Sequence, residues 1–382
     1  MTVKESVLKE LQQNKEEYIS GEALSEQLGV SRAAVWKAIK SLRSEGYPID
    51  AVTNKGYILS SGRSVITAEA LRRALPPELR DNNYLIYDVL DSTNLQGKRL
   101  ILDETEPVGH GTVVIARQQT AGRGRLGRGF FSPEEGLYLS IIVKPEFDPS
   151  RSTLVTVAAA VAVADAIDEV CFDAGTAENP DDSPQNEALI KWVNDVYVGN
   201  RKVCGILTEA TTDFESGNID SLVIGIGINT STAGFPEELL QIAGAVGKGG
   251  LLTEQQARSS SGKTDANAQA EAAKMQGGTP LSANELAQLA ASVIKHTLEY
   301  VGQIGETEGP PAFIERYRNK SLLTGKTVKV YKGLYRKDVT SELQGVPARV
   351  LGISDMGGLQ VIYTNGERET LTTGEVSVRL ED

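Results

Sequence analysis

The densest concentration of chemically capable side chains is Gln119-Thr-Ala-Gly-Arg-Gly-Arg-Leu-Gly-Arg128, where Arg123, Arg125 and Arg128 are interleaved with Gly122, Gly124 and Gly127. The glycines match the dinucleotide spacing G-x-G-x-x-G. That fold needs a helix directly after them, however, and Gly129-Phe-Phe-Ser-Pro133 follows instead. Glycines expose backbone amides and arginines supply planar, permanently charged forks, so the segment suits a loop that folds over a polyanion. A basic surface loop or an RNA-binding arginine tract is the other reading of the same residues.

Three shorter clusters carry similar potential. Asp91-Ser-Thr-Asn94 closes an apolar run and offers hydroxyl and amide groups, either to a polar ligand or as a plain helix cap. Lys191-Trp-Val-Asn-Asp195 sets a lysine within an apolar strand, where an ammonium is costly unless an anion meets it. Gly225-Ile-Gly-Ile-Asn229 ends another apolar run with glycines that permit close backbone approach, whether for a ligand or for tight packing. A Walker loop is excluded. Gly262-Lys-Thr264 and Gly325-Lys-Thr327 carry its tail, but Ala257 and Lys320 stand where its first glycine belongs.

The elements that position these clusters are legible as apolar runs with strand character: Tyr84 to Leu90, Thr112 to Ala116, Leu137 to Val143, Ala188 to Trp192, Val203 to Thr208 and Leu222 to Ile228. Helices lie between them, notably Leu154 to Val170 and Asn284 to Tyr300, so residues 63–320 are expected to form a mixed sheet covered by helices. Two segments interrupt the pattern and are expected to be loose insertions, an acidic Asn/Pro/Ser stretch near 173–187 and a Gly/Ser/Ala/Gln stretch over 244–280. From 321 to 382 five short apolar strands separated by Gly357-Gly358 and Asn365-Gly366 turns predict a small β-barrel of the SH3-like kind.

Residues 1–62 read as three short helices and a hairpin. Glu5 to Gln13 is amphipathic, Ser20 caps a second helix that Gly29 ends, and Ser31 caps a third, Arg32 to Glu45, that Gly46 ends. Helix, turn and helix at this spacing, followed by strands Tyr47 to Asp50 and Gly56 to Leu59 around Asn54-Lys55, is a winged helix-turn-helix. On the third helix Ala34, Val35, Ala38, Ile39 and Leu42 make an apolar stripe, and Arg32, Lys37, Lys40 and Arg43 occupy the other side. A solvated basic face would look the same, but its place on the second helix of the helix-turn-helix favours DNA. The candidate contacts are Ser31, Arg32, Trp36, Lys37, Lys40, Arg43 and, at the wing tip, Lys55.

With 382 residues the chain is expected to hold two or three domains, and 40% hydrophobic with 24% charged residues is a globular profile. A net charge of −12 argues against a general nucleic-acid coat without touching local basic faces. The longest apolar segment, Leu154 to Val170, is interrupted by Asp165, Asp168 and Glu169, so no membrane span is expected. Thr2-Val3-Lys4-Glu5 lacks a signal-peptide core, and a cytoplasmic location is expected. Cys171, Cys204, His110 and His296 are too dispersed for a zinc cluster or a disulfide framework, so no protein-held metal is expected.

In order and spacing, Asp91-Ser-Thr-Asn94, Gly122-Arg-Gly-Arg-Leu-Gly-Arg128, Lys191-Trp-x-Asn-Asp195 and Gly225-x-Gly-x-Asn229 resemble the biotin protein ligases. With the helix-turn-helix in front, the likeness is to the bifunctional class, ligase and biotin operon repressor in one chain. Val193 stands where that family usually has proline, and Leu126 where some members carry a further arginine. The resemblance implies an α+β, multidomain chain: a winged helix-turn-helix, a central biotin/lipoate ligase-like sheet related to class II synthetases, and an SH3-like C-terminal domain. It also implies biotin and ATP as substrates with Mg2+ on the phosphates, a biotinyl-adenylate intermediate, and transfer to a lysine of the biotin carboxyl carrier domain of a carboxylase. Operator DNA and a homodimer formed around bound biotinyl-AMP complete the implied partners. Ser92, Thr93, Asn94, Gln119, Gly122, Arg123, Gly124, Arg125 and Arg128 would belong to the ligand site, with Lys191 and Arg125 catalytic. Phe130 would cover the adenine, and Gly225, Gly227 and Asn229 would hold the nucleotide. The same resemblance implies that residues 119–133 order around the adenylate. A lipoate-type ligase and a non-catalytic biotin-sensing transcription factor are the alternatives.

Overall fold

The computed structural model describes residues 2–14, 18–44, 47, 49–52, 55–59, 66–103, 105, 108–172, 187–212, 219–252, 278–306, 309–332, 345–372 and 376–380. At the N-terminus, helices α1 (Val3–Gln13), α2 (Gly21–Leu28) and α3 (Arg32–Ser44) pack around Val7, Leu11, Leu24, Val35, Ile39 and Leu42. Helix α1 begins two residues before the expected Glu5, because Thr2 and Glu5 form a capping box; Ser20 accepts from the Ala23 amide and Ser31 from the Ala34 amide, as expected. Gly29 ends α2 with φ +63°, the left-handed conformation a side chain disfavours. The hairpin β1 (Ile49–Val52) and β2 (Gly56–Leu59) follows, paired from Ile49↔Leu59 to Val52↔Gly56. Its first strand begins two residues later than expected. The expected helix stop at Gly46 and the turn residue Asn54 lie outside the described residues.

The central sheet has seven strands in the order β3-β4-β5-β9-β8-β7-β6. They are β3 (Tyr84–Leu90), β4 (Thr112–Gln119), β5 (Leu137–Val143), β6 (Ala188–Lys191), β7 (Asp195–Val198), β8 (Arg201–Thr212) and β9 (Ile219–Ile228). Only β3 and β4 run parallel; the other neighbours are antiparallel. Strand β7 went unrecognised in the sequence because Asp195-Val-Tyr-Val198 is short and begins on a charged residue. Helices α4 (Ala68–Ala74) and α5 (Thr93–Leu102) bracket β3, and α6 (Thr153–Cys171) is the interior helix. Residues 154–164 of α6 are buried almost without exception, since a helix apolar all round can only sit inside.

The 244–280 segment departs from expectation. Residues 244–252 are packed, with Ala245, Val246 and Gly247 buried and strands β10 (Val246–Gly247) and β11 (Gly250–Leu251) paired. The Val246 amide donates to Asn229 and the Gly249 amide to Cys171, so small residues here serve close packing rather than looseness. Residues 253–277, and 173–186 of the other expected insertion, lie outside the described residues.

Two further helices, α8 (Ala283–Glu306) after a short helical turn α7 (Glu237–Leu240), and α9 (Phe313–Asn319), complete the middle of the chain. The C-terminal strands β12 (Thr327–Lys332), β13 (Val346–Ile353), β14 (Leu359–Tyr363), β15 (Arg368–Leu371) and β16 (Val376–Leu380) form one antiparallel sheet in the order β15-β14-β13-β12-β16. Its buried residues Val328, Val330, Val350 and Leu359 belong to the same hydrophobic cluster as the central sheet. The connection is tight: Ile190 of β6 accepts from the Leu322 amide and donates to Lys320, and Lys320 is ion-paired to Asp168. Trp192 Nε1 donates to the Gly357 carbonyl at 2.9 Å, tying the C-terminal sheet to the turn after β6. Trp192→Phe removes that donor and leaves a carbonyl unsatisfied, at an expected cost of about 1–3 kcal/mol. A lower urea midpoint at unchanged slope is the result to look for.

Candidate active site

The cleft lies over the middle of the sheet, with a volume of about 250 Å³, and is lined from β4, β6, β8, β9, the start of α5 and the arginine–glycine loop. Of the residues singled out in the sequence, Ser92, Thr93, Asn94, Gln119, Arg123, Gly124, Arg125, Arg128, Phe130, Lys191, Gly225 and Gly227 line it. Residues from four separate stretches are thus gathered on one surface, which no helix cap, surface loop or strand contact requires individually.

One end is an uncharged polar network. Ser92 caps α5, its Oγ 3.5 Å from the Leu95 amide, so the cap and ligand readings of Asp91-Ser-Thr-Asn94 describe the same residues. The Thr93 amide donates to Gln119 Oε1 at 2.9 Å, and Gln119 Nε2 donates to Ser132 Oγ at 2.9 Å. Ser140 Oγ lies 2.7 Å from Thr93 Oγ1 and 2.6 Å from Asn94 Oδ1. Ser140 is fully buried and is the one polar residue of Leu137-Tyr-Leu-Ser-Ile-Ile-Val143, a signal the sequence reading passed over. Gln119 presents its amide to this end because β4 runs three residues past the expected Ala116.

The other end is cationic. The segment 119–133 is an irregular hairpin, bridged at Gln119↔Ser132 and Arg123↔Gly129, with Leu126 at φ +58° and Gly127 at φ +71° at its tip. Arg125 Nη1 donates to Asn194 Oδ1 at 3.3 Å, and Asn194 is itself fixed by Nδ2 to the Ile206 carbonyl at 2.7 Å. Burial lowers the Arg125 pKa from its ordinary value despite the opposing charge of Asp195, with Arg128 adding to the lowering. The guanidinium therefore holds its charge at a cost that an incoming anion relieves. Lys191, the last residue of β6, lines the cleft with its Nζ 5.7 Å from the centre of the Tyr197 ring.

Lys202 also lines the cleft, its Nζ 2.6 Å from Asp195 Oδ1. It was missed because it precedes the apolar run of β8 and belongs to no quoted motif. Asn194 and Asp195, the last two residues of the Lys191-Trp-x-Asn-Asp195 motif, also line the cleft. The turn that carries them is held from three sides: by Ile206, by Tyr317 Oη donating to the Val193 carbonyl at 3.2 Å, and by the Trp192 contact. The Trp192–Val193 peptide is cis.

Two glycine-motif expectations are met with a different physical content. A Cβ on Gly225 would come within 2.1 Å of Asn94 Oδ1, and one on Gly227 within 2.5 Å of the Phe130 ring. The close approach is thus by the protein's own side chains. Phe130 lines the cleft, rests on Gly227 and Gly205, and meets Tyr138 edge-on at 6.4 Å. Gly122 is not a lining residue; it packs beneath the loop, where a Cβ would meet the Phe130 carbonyl at 2.3 Å. Asn229 is likewise outside the cleft lining, buried with its Nδ2 donating to the Gly244 carbonyl at 3.1 Å and its amide to Val203. Gly225→Ala is expected to displace Asn94, cost about 1–3 kcal/mol from overpacking, and weaken ligand binding at the polar end. Thermal denaturation and a ligand-binding isotherm read the two effects.

Among the described residues no cluster of three His, Cys, Asp or Glu could hold a metal ion, and no helix is long and apolar enough to cross a membrane.

In the N-terminal domain, Ser31 is exposed at the start of α3, Arg32, Trp36, Lys37, Lys40 and Arg43 are exposed on it, and Lys55 is exposed between β1 and β2. Trp36 is 58% exposed, and Lys40 Nζ lies 5.4 Å from the centre of its ring, one helical turn away. Val35, Ala38, Ile39 and Leu42 face the core, so the face opposite them is the free one.

The central sheet and its cleft have the fold of a protein ligase, preceded by a helix-turn-helix module, and comparison with known proteins agrees. The Biotin/lipoate A/B protein ligase family matches residues 87–229, and an HTH domain matches residues 3–58. The bifunctional ligase/repressor BirA of Bacillus subtilis is 36% identical over 245 residues, covering 63% of this chain and 70% of that protein. The protein of the same description from Escherichia coli is 28% identical over 364 residues, covering 95% and 94%. Among solved structures, a biotin protein ligase from Aquifex aeolicus in complex with biotin and ATP shares the fold, with a TM-score of 0.53 and 24% identity over 78% of this chain and 99% of that one. This chain belongs to the biotin/lipoate A/B protein ligase family, in its bifunctional ligase/repressor branch.

Proposed function

We propose that this chain activates biotin with ATP, transfers it to a lysine of a biotin carboxyl carrier domain, and represses transcription through its helix-turn-helix. The observation that carries the ligase reading is the division of one cleft into an uncharged donor–acceptor end at Thr93, Gln119 and Asn94 and a cationic end at Arg125, Arg128, Lys191 and Lys202. That polarity matches a cyclic urea joined through an apolar body to a carboxylate beside a polyphosphate.

In the first step a biotin carboxylate oxygen forms a bond to the α-phosphorus of ATP, and the bond from that phosphorus to the bridging oxygen breaks, releasing pyrophosphate. Nucleophile and electrophile are both anionic, so the chain's contribution is charge neutralisation and alignment. Lys191 and Lys202 supply ammonium groups and Arg125 a guanidinium, each held by the sheet or by Asn194 so that little reorganisation is needed. In the second step a neutral acceptor-lysine amine attacks the acyl carbon of biotinyl-AMP, an amide forms, and AMP leaves. Mg2+ enters with ATP as part of that substrate. Asp195 is the one carboxylate lining the cleft and is engaged by Lys202, a donor set that fits a cation carried mainly by phosphates.

The same reading takes residues 1–62 as the DNA-binding domain, 63–320 as the catalytic domain and 321–382 as an SH3-like domain. It places the protein in the cytoplasm and has it dimerise around biotinyl-AMP, so that two helix-turn-helix units meet two operator half-sites. The shared core of the central and C-terminal sheets supports treating the last two domains as one packed unit. Incubating purified protein with biotin, ATP and Mg2+ tests the ligase reading. Pyrophosphate and a retained biotinyl-adenylate, seen by mass spectrometry, are expected. Adenylation of lipoate instead would reassign the substrate, and biotin binding without adenylate would make the chain a sensor.

A further inference from the structure

We propose that Glu209 is a positioning residue that latches the arginine–glycine loop, through Arg123, to the polar end of the cleft. The proposal deepens the ligase reading and rests on it. Glu209 sits on β8, four residues beyond Gly205, and alternation puts Gly205, Leu207 and Glu209 on one face of the sheet. Its side chain is 16% exposed, an unusual place for a carboxylate unless it is paired. Three partners reach it. Oε2 accepts from Asn94 Nδ2 at 2.9 Å, Oε1 accepts from Lys98 Nζ at 2.7 Å, and Arg123 Nη1 lies 3.5 Å from Oε1.

One anion therefore ties together α5, β8 and the loop. Its effect on Asn94 is directional. With Nδ2 committed to Glu209 and to the Leu207 carbonyl, the amide must turn Oδ1 toward Ser140. Ser140 in turn sits against Thr93 Oγ1, and Thr93 holds Gln119. The orientation of the whole uncharged end thus descends from a carboxylate that is not among the lining residues of the cleft. Burial pushes the Glu209 pKa up, but hydrogen bonds from Lys98 and Asn94 and the charges of Lys98 and Arg123 more than reverse it, so the group stays ionised.

The three loop arginines consequently divide their labour. Arg123 is offset by Glu209 and serves as the latch, whereas Arg125 reaches Asn194 beside the lysines and contributes charge to the anionic ligand. Glu209→Gln keeps the volume but removes the charge and faces Asn94 with a competing donor.

Steady-state kinetics of pyrophosphate release with a biotin carboxyl carrier domain as acceptor, together with the escape rate, measured without acceptor, of radiolabelled biotinyl-adenylate from wild-type, E209Q, R123M and the double variant, test the assignment. E209Q is expected to raise KM for biotin about tenfold, in line with loss of hydrogen bonds to a charged group. KM for MgATP and kcat at saturating biotin should change less than twofold. Both single variants should speed adenylate escape, R123M by about threefold, as expected for a half-exposed pair. R123M should add nothing on the E209Q background, since the latch is already open. Wild-type kinetics in E209Q, a parallel rise in both KM values, or multiplicative single effects would each overturn the role of Glu209. Should E209Q not fold, R123M carries the test from its exposed loop: faster escape at unchanged KM for MgATP supports the latch, and wild-type escape refutes it. Wild-type protein that forms no adenylate overturns the ligase reading and this proposal with it.

Discussion

Lys191→Ala is expected to slow biotinyl-adenylate formation by about 10²–10³-fold, the usual cost of removing one preorganised charge-stabilising donor. The fold should survive, because Lys191 ends β6 at the cleft and the strand's core contacts come from Ala188 and Ile190, both fully buried. Lys202→Ala should cost at least as much. It removes a cation and also leaves Asp195, which lines the same cleft, without the ammonium 2.6 Å away. The uncompensated carboxylate then opposes every incoming phosphate. Pairing K202A with Asp195→Asn should recover part of the loss, whereas adding the same change to K191A should not. Single-turnover pyrophosphate release with circular dichroism as the folding control separates these outcomes. Near-wild-type turnover in K191A would remove Lys191 from the chemistry and leave the catalytic charge to Lys202 and Arg125.

The second large effect is a separation of functions. Arg32→Ala with Lys40→Ala should weaken operator binding by roughly 100-fold or more at moderate salt and flatten the dependence of log affinity on log salt by about 4, one lost phosphate contact for each of the two charges on each half-site. Ligation should be unchanged. Both side chains are exposed on α3, and the hydrophobic cluster beneath that helix is distinct from the one supporting the cleft. Gel-shift titrations across a salt series, run beside pyrophosphate assays on the same preparation, give both quantities. A matching loss of ligation would show that the two clusters are energetically one body. An unchanged salt slope would place the DNA contacts elsewhere on the domain.

Prediction from sequence succeeded where short-range chemistry dictates the outcome. Ser20 and Ser31 sit at helix starts because a side-chain oxygen satisfies an amide the helix leaves open. The alternating and continuous apolar runs became β3, β5, β6, β8 and β9, because burial on one face or two is written directly into residue type. The motifs that line the cleft were legible for a related reason: arginines among glycines, and a lysine ending an apolar strand, are costly unless something anionic is to be met.

What escaped that reading depends on contacts between residues distant in the chain. Ser140 and Glu209 belong to no local pattern, and they matter only because α5 brings Asn94 to lie 46 and 115 residues from them in sequence yet within hydrogen-bond reach. Lys202 acquires its place from the β7–β8 register, which no periodicity encodes. The glycines of Gly225-Ile-Gly-Ile-Asn229 announced a close approach, but only the folded chain shows that Asn94 and Phe130 make it. Residues 244–252 looked loose because they are small, and they are packed for the same reason: small residues fit where β10 and β11 press against Cys171 and Asn229. By itself the sequence determined the helix-turn-helix, most strands of the sheet that follows it and the charge of the arginine–glycine loop, since these follow from local composition and spacing. Tertiary structure alone decided which residues line the cleft and which hold those residues still, because that depends on strand register and on the loop packed over a shared sheet.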